Sequence, residues 1–297
     1  MYYANLRAFH AVASHGSFTR AAESLGVTQP TLSAQVKALE QTYGVALLDR
    51  RGRSVAPTGL GGQLLEITRR LFLLEAEADE LLSRARDLTA GHLRVAAGGP
   101  YYAVPLLAAF SARYPAVHVS LSIGNSGEVL DALLHDRADV AMISDVEPDP
   151  RLEALPYAEH RLVVFVPRKH AWARVRGIRL RNLEGQPMVL REPGSMTRRL
   201  FEQAIAKAKV TPRVVMEIES REAVSEAVAA GLGIGVVSEA EFGHDGRLAA
   251  VAVTDVAMLT REYVVCLKER RRLRIVSAFV DQASSRLKRA TPAAARS

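Results

Sequence analysis

Several absences narrow the field first. The 297 residues hold a single cysteine, Cys266, so neither an internal disulfide nor a cysteine-built metal site is available. No run of about 18 apolar residues occurs, which argues against a membrane span. Met1 to His10 has no basic stretch leading into an apolar core, so no secretory signal is expected there. The eight histidines show no H-E-x-x-H or comparable metal spacing. No glycine-rich loop ends in the Lys-Ser/Thr of a phosphate cradle. No metal and no cofactor are therefore expected, and the location implied is cytoplasmic. What remains is 48% apolar and 24% charged, globular composition with length for a small domain plus a larger one.

The net charge is +7, unevenly placed: residues 1–60 hold six Lys/Arg against three Asp/Glu, and residues 268–297 nine against two. A basic N-terminal segment suits a polyanion, because each cation on a phosphate releases counterions. The basic run at 268–272 is read as the solvated face of a final helix.

Leu6, Phe9 and Ala13 recur at helical spacing, predicting a helix over 4–14 that Gly16 ends. Ser17 or Thr19 caps a second helix, with Ala21, Ala22 and Leu25 inside and Gly26 as its left-handed stop. Thr28 caps a third, with Pro30 in its first turn and Leu32, Val36 and Leu39 on its inner face. A small residue, a turn glycine and an aliphatic plug at Ala22, Gly26 and Leu32 make this a helix-turn-helix, whose second helix enters the major groove of DNA. Its outer face carries Gln29, Thr31, Ser33, Gln35 and Lys37, residue types that bond to base edges and phosphates. Beyond Gly44, two short extended pieces flank Arg50-Arg51-Gly52-Arg53, a basic wing for backbone phosphate or the minor groove.

These residues clearly resemble the LysR-type transcriptional regulators. The resemblance runs from Phe9 to Gly59, through Gly16-Ser17-Phe18-Thr19-Arg20-Ala21-Ala22 and the helix from Thr28 to Glu40. It implies groove contacts by Gln29, Pro30, Thr31, Ser33 and Lys37, and backbone contacts by Arg50, Arg53 and Thr58. One departure is Ala34, where many members of the family carry arginine after the serine of the recognition helix. The fold class implied is α/β: a winged helix-turn-helix (1–59), a long linker helix (60–89) and a two-lobed sensor similar to periplasmic binding proteins (90–297). Lobe I is expected over about 90–163 and 264–290, and lobe II over about 164–263.

Leu60, Leu64, Ile67, Leu71, Leu74, Ala78, Leu81, Ala85 and Leu88 alternate steps of four and three, an a/d heptad over four repeats. Such a narrow seam needs a partner helix, so a homodimer is expected. Glu66-Arg70 and Glu80-Arg84 flank it at i, i+4 spacing. The resemblance adds a pairing of two dimers into a homotetramer, and RNA polymerase as a promoter partner. Paired heads would require a roughly palindromic site on double-stranded DNA.

Strands are predicted at 93–97, 117–123 and 138–143, then at 162–166, 188–190, 214–218, 234–237 and 263–267. Helices between them argue for parallel α/β sheets. Three loops fall where such sheets bind ligands. They are Gly98-Gly99-Pro100-Tyr101, Gly124-Asn125-Ser126-Gly127 and the stretch from Arg191 through Ser195 and Met196 to Thr197. Each opens a helix, so backbone N–H groups and dipole favour an anion. Taken singly, each is equally well a plain N-cap. Arg221 can add positive charge, and Glu219 or Glu192 can receive an ammonium. A small anionic or zwitterionic effector follows. Within the family, 191–197 and 219–223 resemble regulators of 2-aminoethylphosphonate catabolism, which implies that zwitterion.

Two other classes fit less well. An enzyme would need a nucleophile, and Cys266 sits mid-strand without a neighbouring histidine, while His170 falls on a loop as a structural residue. A transport binding protein would not carry the DNA-binding head.

Overall fold

The computed structural model describes residues 3–49, 55–83 and 91–290. Its first three helices are α1 (Tyr3–His15), α2 (Phe18–Leu25) and α3 (Gln29–Tyr43). Ser17 caps α2 by accepting from Arg20 N, and Gly26 stops it at φ 65°, a conformation that favours glycine. Thr28 caps α3, with Pro30 in its first turn. Phe9, Val12, Leu32 and Val36 are fully buried where the three helices meet. Side chains of this size stabilise by about 1.5–3 kcal/mol each on burial.

Strands β1 (Leu48–Asp49) and β2 (Ala56–Pro57) pair antiparallel as the base of the wing. Glu40 of α3 holds this base, its Oε1 accepting from Leu47 N at 2.9 Å and Leu48 N at 3.2 Å. The basic turn with Arg50 and Arg53 lies outside the described residues. Helix α4 (Gly59–Ser83) begins hard against the wing. A Cβ on Gly61 would stand 1.9 Å from Leu47 O, so only glycine admits this approach.

Along α4 the heptad positions Leu60, Ile67, Leu71 and Leu74 are exposed on the single chain, at 48%, 53%, 40% and 62%. An apolar stripe this open on one chain is a surface for a second helix. Leu81, Ala85, Leu88 and the Glu80-Arg84 pair lie outside the residues whose side chains are described. Glu66 bonds to Arg69 at 2.6 Å rather than to Arg70.

The sensor is built on a mixed eight-stranded sheet and a second, two-stranded parallel one at Pro187–Arg191 and Arg213–Ile218, so the expected parallel pairing holds for part of it only. Its elements are β3 (Gly91–Ala97), α5 (Pro100–Arg113), β4 (Val117–Ile123), α6 (Ser126–Leu134), β5 (Val140–Ser144), β6 (Leu152–Pro167), β7 (Gly177–Ile178), β8 (Pro187–Arg191), α7 (Met196–Ala208), β9 (Arg213–Ile218), α8 (Arg221–Ala229), β10 (Gly235–Ser238), β11 (Leu248–Val253), β12 (Leu259–Leu267) and α9 (Arg274–Ala290). Strands β4, β3 and β5 are parallel. β12 then pairs antiparallel with both β5 and β6. Further along, β6 is flanked antiparallel by β10 on one edge and β11 on the other, both pairing with Val164 and Phe165. The pair β6–β12 therefore runs through both lobes, and its register shifts between Glu262 and Tyr263, a bulge where the lobes meet. Lobe I packs Phe110 and Phe279 against one sheet face. In lobe II the largest cluster centres on Met188, Phe201 and Leu183.

The basic run at 268–272 departs from its sequence reading. It is a short turn rather than a solvated helix face; Arg270 and Arg271 fold inward, while Lys268 and Arg272 stay exposed. Arg270 pairs with Asp139 at 2.6 Å and Asp136 at 3.0 Å, while Arg271 pairs with Glu153 and Asp281. Arg94 shares the same Asp139 oxygen, Oδ1, at 2.7 Å and also donates to Oδ2 at 3.1 Å. Arg69 of α4 completes the cluster, its Nε 3.2 Å from Asp136 and its Nη2 donating to Leu134 O. The linker helix is thereby seated on lobe I.

Candidate functional site

Two surfaces carry chemistry. The first is α3. Its inner side is fixed by Leu32, Val36 and Leu39, so the opposite ridge, at 100° per residue, is Pro30, Ala34, Lys37 and Gln41, all exposed. Gln29 and Thr31 are exposed beside it, whereas Ser33 and Gln35 are half-buried on its flanks. Thr31 shares a hydroxyl bond of 2.8 Å with Thr28, so it also serves the cap. Thr58 stands at the start of α4, where its hydroxyl donates to Ala46 O at 2.8 Å and accepts from Gly61 N at 3.0 Å. Gln41 belongs to the ridge and follows from the 3.6-residue period, but the sequence reading stopped at Lys37.

The second surface is a cleft of about 370 Å³ between the lobes. Its walls include Pro100, Asn125, Arg191, Ser220 and Arg221. It continues into an inner chamber of about 30 Å³ that adds Ser126, Ser195, Met196 and Thr197, with Ser144, Ser238, Glu241, Thr260 and Glu262. That volume takes a group the size of a water molecule.

The starts of α5, α6 and α7 converge on these two cavities. Asn125 caps α6 in a full capping box with Glu128. Ser195 caps α7 through Arg198 N, leaving the first-turn amides of Met196 and Thr197 without intrahelical acceptors. Gly194 permits the lobes to touch, because a Cβ there would lie 2.9 Å from Asn125 Nδ2.

Gly99 serves the same purpose without lining the cleft. A Cβ on it would meet Arg221 and Glu241, each at 2.9 Å. Tyr101, expected in the cleft, instead lines a separate pocket with Phe242 and Asp245. Being one residue past Pro100 on a helix, it is turned about 100° away.

Charge in the cleft is unlike that of a simple anion trap. Two arginines, Arg191 and Arg221, face six glutamates: Glu128, Glu192, Glu219, Glu222, Glu241 and Glu262. Both arginines are already paired, Arg191 with Glu192 at 2.8 Å and Arg221 with Glu241 at 3.1 Å. Glu262 has no ion pair among the described residues; its Oε1 accepts from the Ser144 hydroxyl. Burial, with repulsion from Glu241 and Asp145, raises Glu262 to about 7 despite Ser144 and Arg221. Burial also raises Glu241, against the pull of Arg221 and Arg191.

Among the described residues outside this cleft, neither of the two side chains considered from sequence is arranged as a reaction centre. Burial lifts the Cys266 thiol to about 11, the opposite of an activated nucleophile. His170 caps a short turn by accepting from Trp172 N. Among the described residues no group of His, Cys, Asp and Glu is arranged to hold a metal, and no helix is long and apolar enough to cross a membrane.

Residues 3–62 match the bacterial regulatory helix-turn-helix protein model of the lysR family, and residues 86–288 match the LysR substrate binding domain. The chain belongs to the LysR family of transcriptional regulators. It is 32% identical to the HTH-type transcriptional activator CmpR of Synechocystis sp. over 278 residues, 92% of this chain and 91% of that one. The CcmR regulatory domain of Synechocystis, solved in complex with 2-PG, aligns at 28% identity and a TM-score of 0.62, over 67% of this chain and 98% of that one. Full-length CbnR, solved with its target DNA, aligns at 26% identity and a TM-score of 0.63, over 98% of this chain and all of that one. The LysR head is thus a DNA-binding module, the LysR sensor a ligand-binding one, and the family is not enzymatic.

The residues missed from sequence are the chamber floor. Ser144, Ser238, Thr260 and Glu262 come from three strands, β5, β10 and β12, with Glu241 just beyond β10. No local motif joins them. Glu262 falls in the polar stretch Thr260-Arg261-Glu262, just before the strand expected at 263–267, so no sequence signal marks it.

Proposed function

We propose that this LysR regulator binds promoter DNA through α3 and the wing, and that a small anionic or zwitterionic effector in the cleft sets how it binds. The observation that carries the reading is the convergence of three helix starts on one polar cleft, in a chain whose head presents an exposed recognition ridge. Groove contacts are assigned to Gln29, Pro30, Thr31, Ser33, Gln35 and Lys37, and phosphate contacts to Arg50, Arg53 and Thr58. The effector is assigned to Pro100, Asn125, Ser126, Ser195, Met196, Thr197 and Arg221, with Gly99 shaping the wall. The exposed seam of α4 supports a homodimer, and pairing of dimers a tetramer. The domain divisions at 59 and 89 follow the same assignment, as does a cytoplasmic location.

Effector binding would act by population shift: a ligand preferring one lobe arrangement also favours the head geometry coupled to it. The α4 seat on Arg69, Asp136 and Arg270 supports such coupling. Among candidate effectors, 2-aminoethylphosphonate is proposed because 191–197 and 219–223, the stretches that resemble regulators of its catabolism, include cleft residues, and 2-PG because the similar CcmR regulatory domain was solved in complex with it. Calorimetric titration of the full chain with both compounds, phosphate, sulfate and amino acids tests the choice. Selective micromolar binding, about −8 kcal/mol, is expected. Binding no tighter than that of unrelated amino acids would refute the specific effector.

A further inference from the structure

The inner chamber is built to receive positive charge. Its floor holds Glu262, 7% exposed, with a hydroxyl partner at one oxygen and no ion pair among the described residues. Ser238, 3% exposed, lines the same chamber, its Oγ facing the Tyr102 hydroxyl without either atom making a well-aligned hydrogen bond. Buried polar atoms are seldom left unpaired, and those that are call for a partner. Around them the cleft is glutamate-rich, with both of its arginines engaged. A ligand carrying only negative charge would meet this floor at a cost. Another wall of the same chamber has the opposite sign, because the open amides of Met196 and Thr197 end the positive pole of α7.

We infer that the effector is a primary amine bearing an acidic group, its ammonium seated in the inner chamber on Glu262 and Ser238 and its acidic end at the start of α7. The inference rests on the cleft being the effector site and narrows its ligand class to zwitterions. The chamber volume suits an ammonium, which is about the size of the water it would replace. Three donors on the ammonium match acceptors at Glu262, Ser238 and Thr260 or Ser144. The titratable groups facing Glu262 are Glu241 from the turn after β10, Asp145 after β5 and Arg221 from α8. Two of the three are carboxylates, so the surroundings add to the field that favours a cation.

The test is calorimetry on the full chain at pH 7.5 with three matched pairs: 2-aminoethylphosphonate and ethylphosphonate, taurine and ethanesulfonate, β-alanine and propionate. The expected result is that in at least one pair the amine binds ten-fold tighter or more, and that Glu262→Gln brings the gap below about three-fold. Should Glu262→Gln fail to fold, Ser238→Ala is expected to weaken the amine several-fold and leave its partner unchanged. In the native chain, binding of the amine should weaken about five-fold on going from pH 7 to pH 6, as Glu262 takes up a proton. Equal or tighter binding of the amine-free acids overturns the inference. So does binding of phosphate or 2-PG when none of the six binds, and in both cases the cleft stands as an anion site. If no small molecule binds, the cleft reading falls along with the inference.

Discussion

Replacing Glu262 by glutamine should stabilise the sensor at alkaline pH, an unusual direction for a change in a buried polar residue. The carboxyl rises from 4.5 to about 7 on folding, which corresponds to about 3 kcal/mol. Below pH 4.5 the group is protonated in folded and unfolded chains alike, and nothing is lost. Between 4.5 and 7 the unfolded chain ionises while the folded one keeps its proton, so stability declines as pH rises. Above 7 the whole loss is present. Glutamine stays neutral throughout and can keep a bond to Ser144. Denaturant unfolding at pH 5 and pH 8 gives the comparison, followed by the single tryptophan, Trp172, which packs on the lobe II core. The variant should match the native chain closely at pH 5 and exceed it by about 2–3 kcal/mol at pH 8. A variant weaker than the native chain by the same margin at both pH values would refute the reasoning. It would show that the carboxylate is ionised and well paired.

Other expectations follow from the same geometry. Gly61→Ala drives a methyl into Leu47 O, costing about 1–3 kcal/mol of head stability; duplex binding should fall while effector binding persists, as anisotropy and calorimetry will show. Asp139→Asn leaves Arg94 and Arg270 without their shared carboxylate, a loss of about 3–5 kcal/mol visible in thermal melts. Despite the opposing desolvation of its burial, Asp139 is held below the ordinary carboxylate range by Arg94 and Arg270. Its contribution should therefore be present above the unfolded value and fade as pH falls through the lowered one. Ile67→Asp puts a charge in the exposed α4 seam and should reduce the assembled mass in sedimentation velocity. Lys37→Ala should weaken binding to all duplexes and lower the salt slope by about one.

The head was readable from sequence because its signals are local: Ser17, Gly26, Thr28 and Pro30 each act within a turn of their own position. The same holds for Asn125 and Ser195, which cap helices and line the cleft for one reason. Strand β6 shows the limit. Its first half alternates exposure and contains Pro156, so only the apolar 162–166 stretch was recognised, and the lobe-spanning ladder with β12 was lost. The ion cluster of Arg69, Arg94, Asp136, Asp139 and Arg270 joins four distant parts of the chain. Glu262 meets Ser144 from 118 residues away. Pairings of that kind depend on strand order, which periodicity does not encode.

The central claim, that cleft occupancy governs operator binding, is tested most directly by fluorescence anisotropy of the full chain on a duplex selected from a random pool, with and without saturating effector identified by calorimetry. The account predicts that the effector changes duplex affinity or stoichiometry, and that Arg221→Ala abolishes the change while leaving effector-free DNA binding intact. Identical duplex binding with the cleft filled and empty would contradict it.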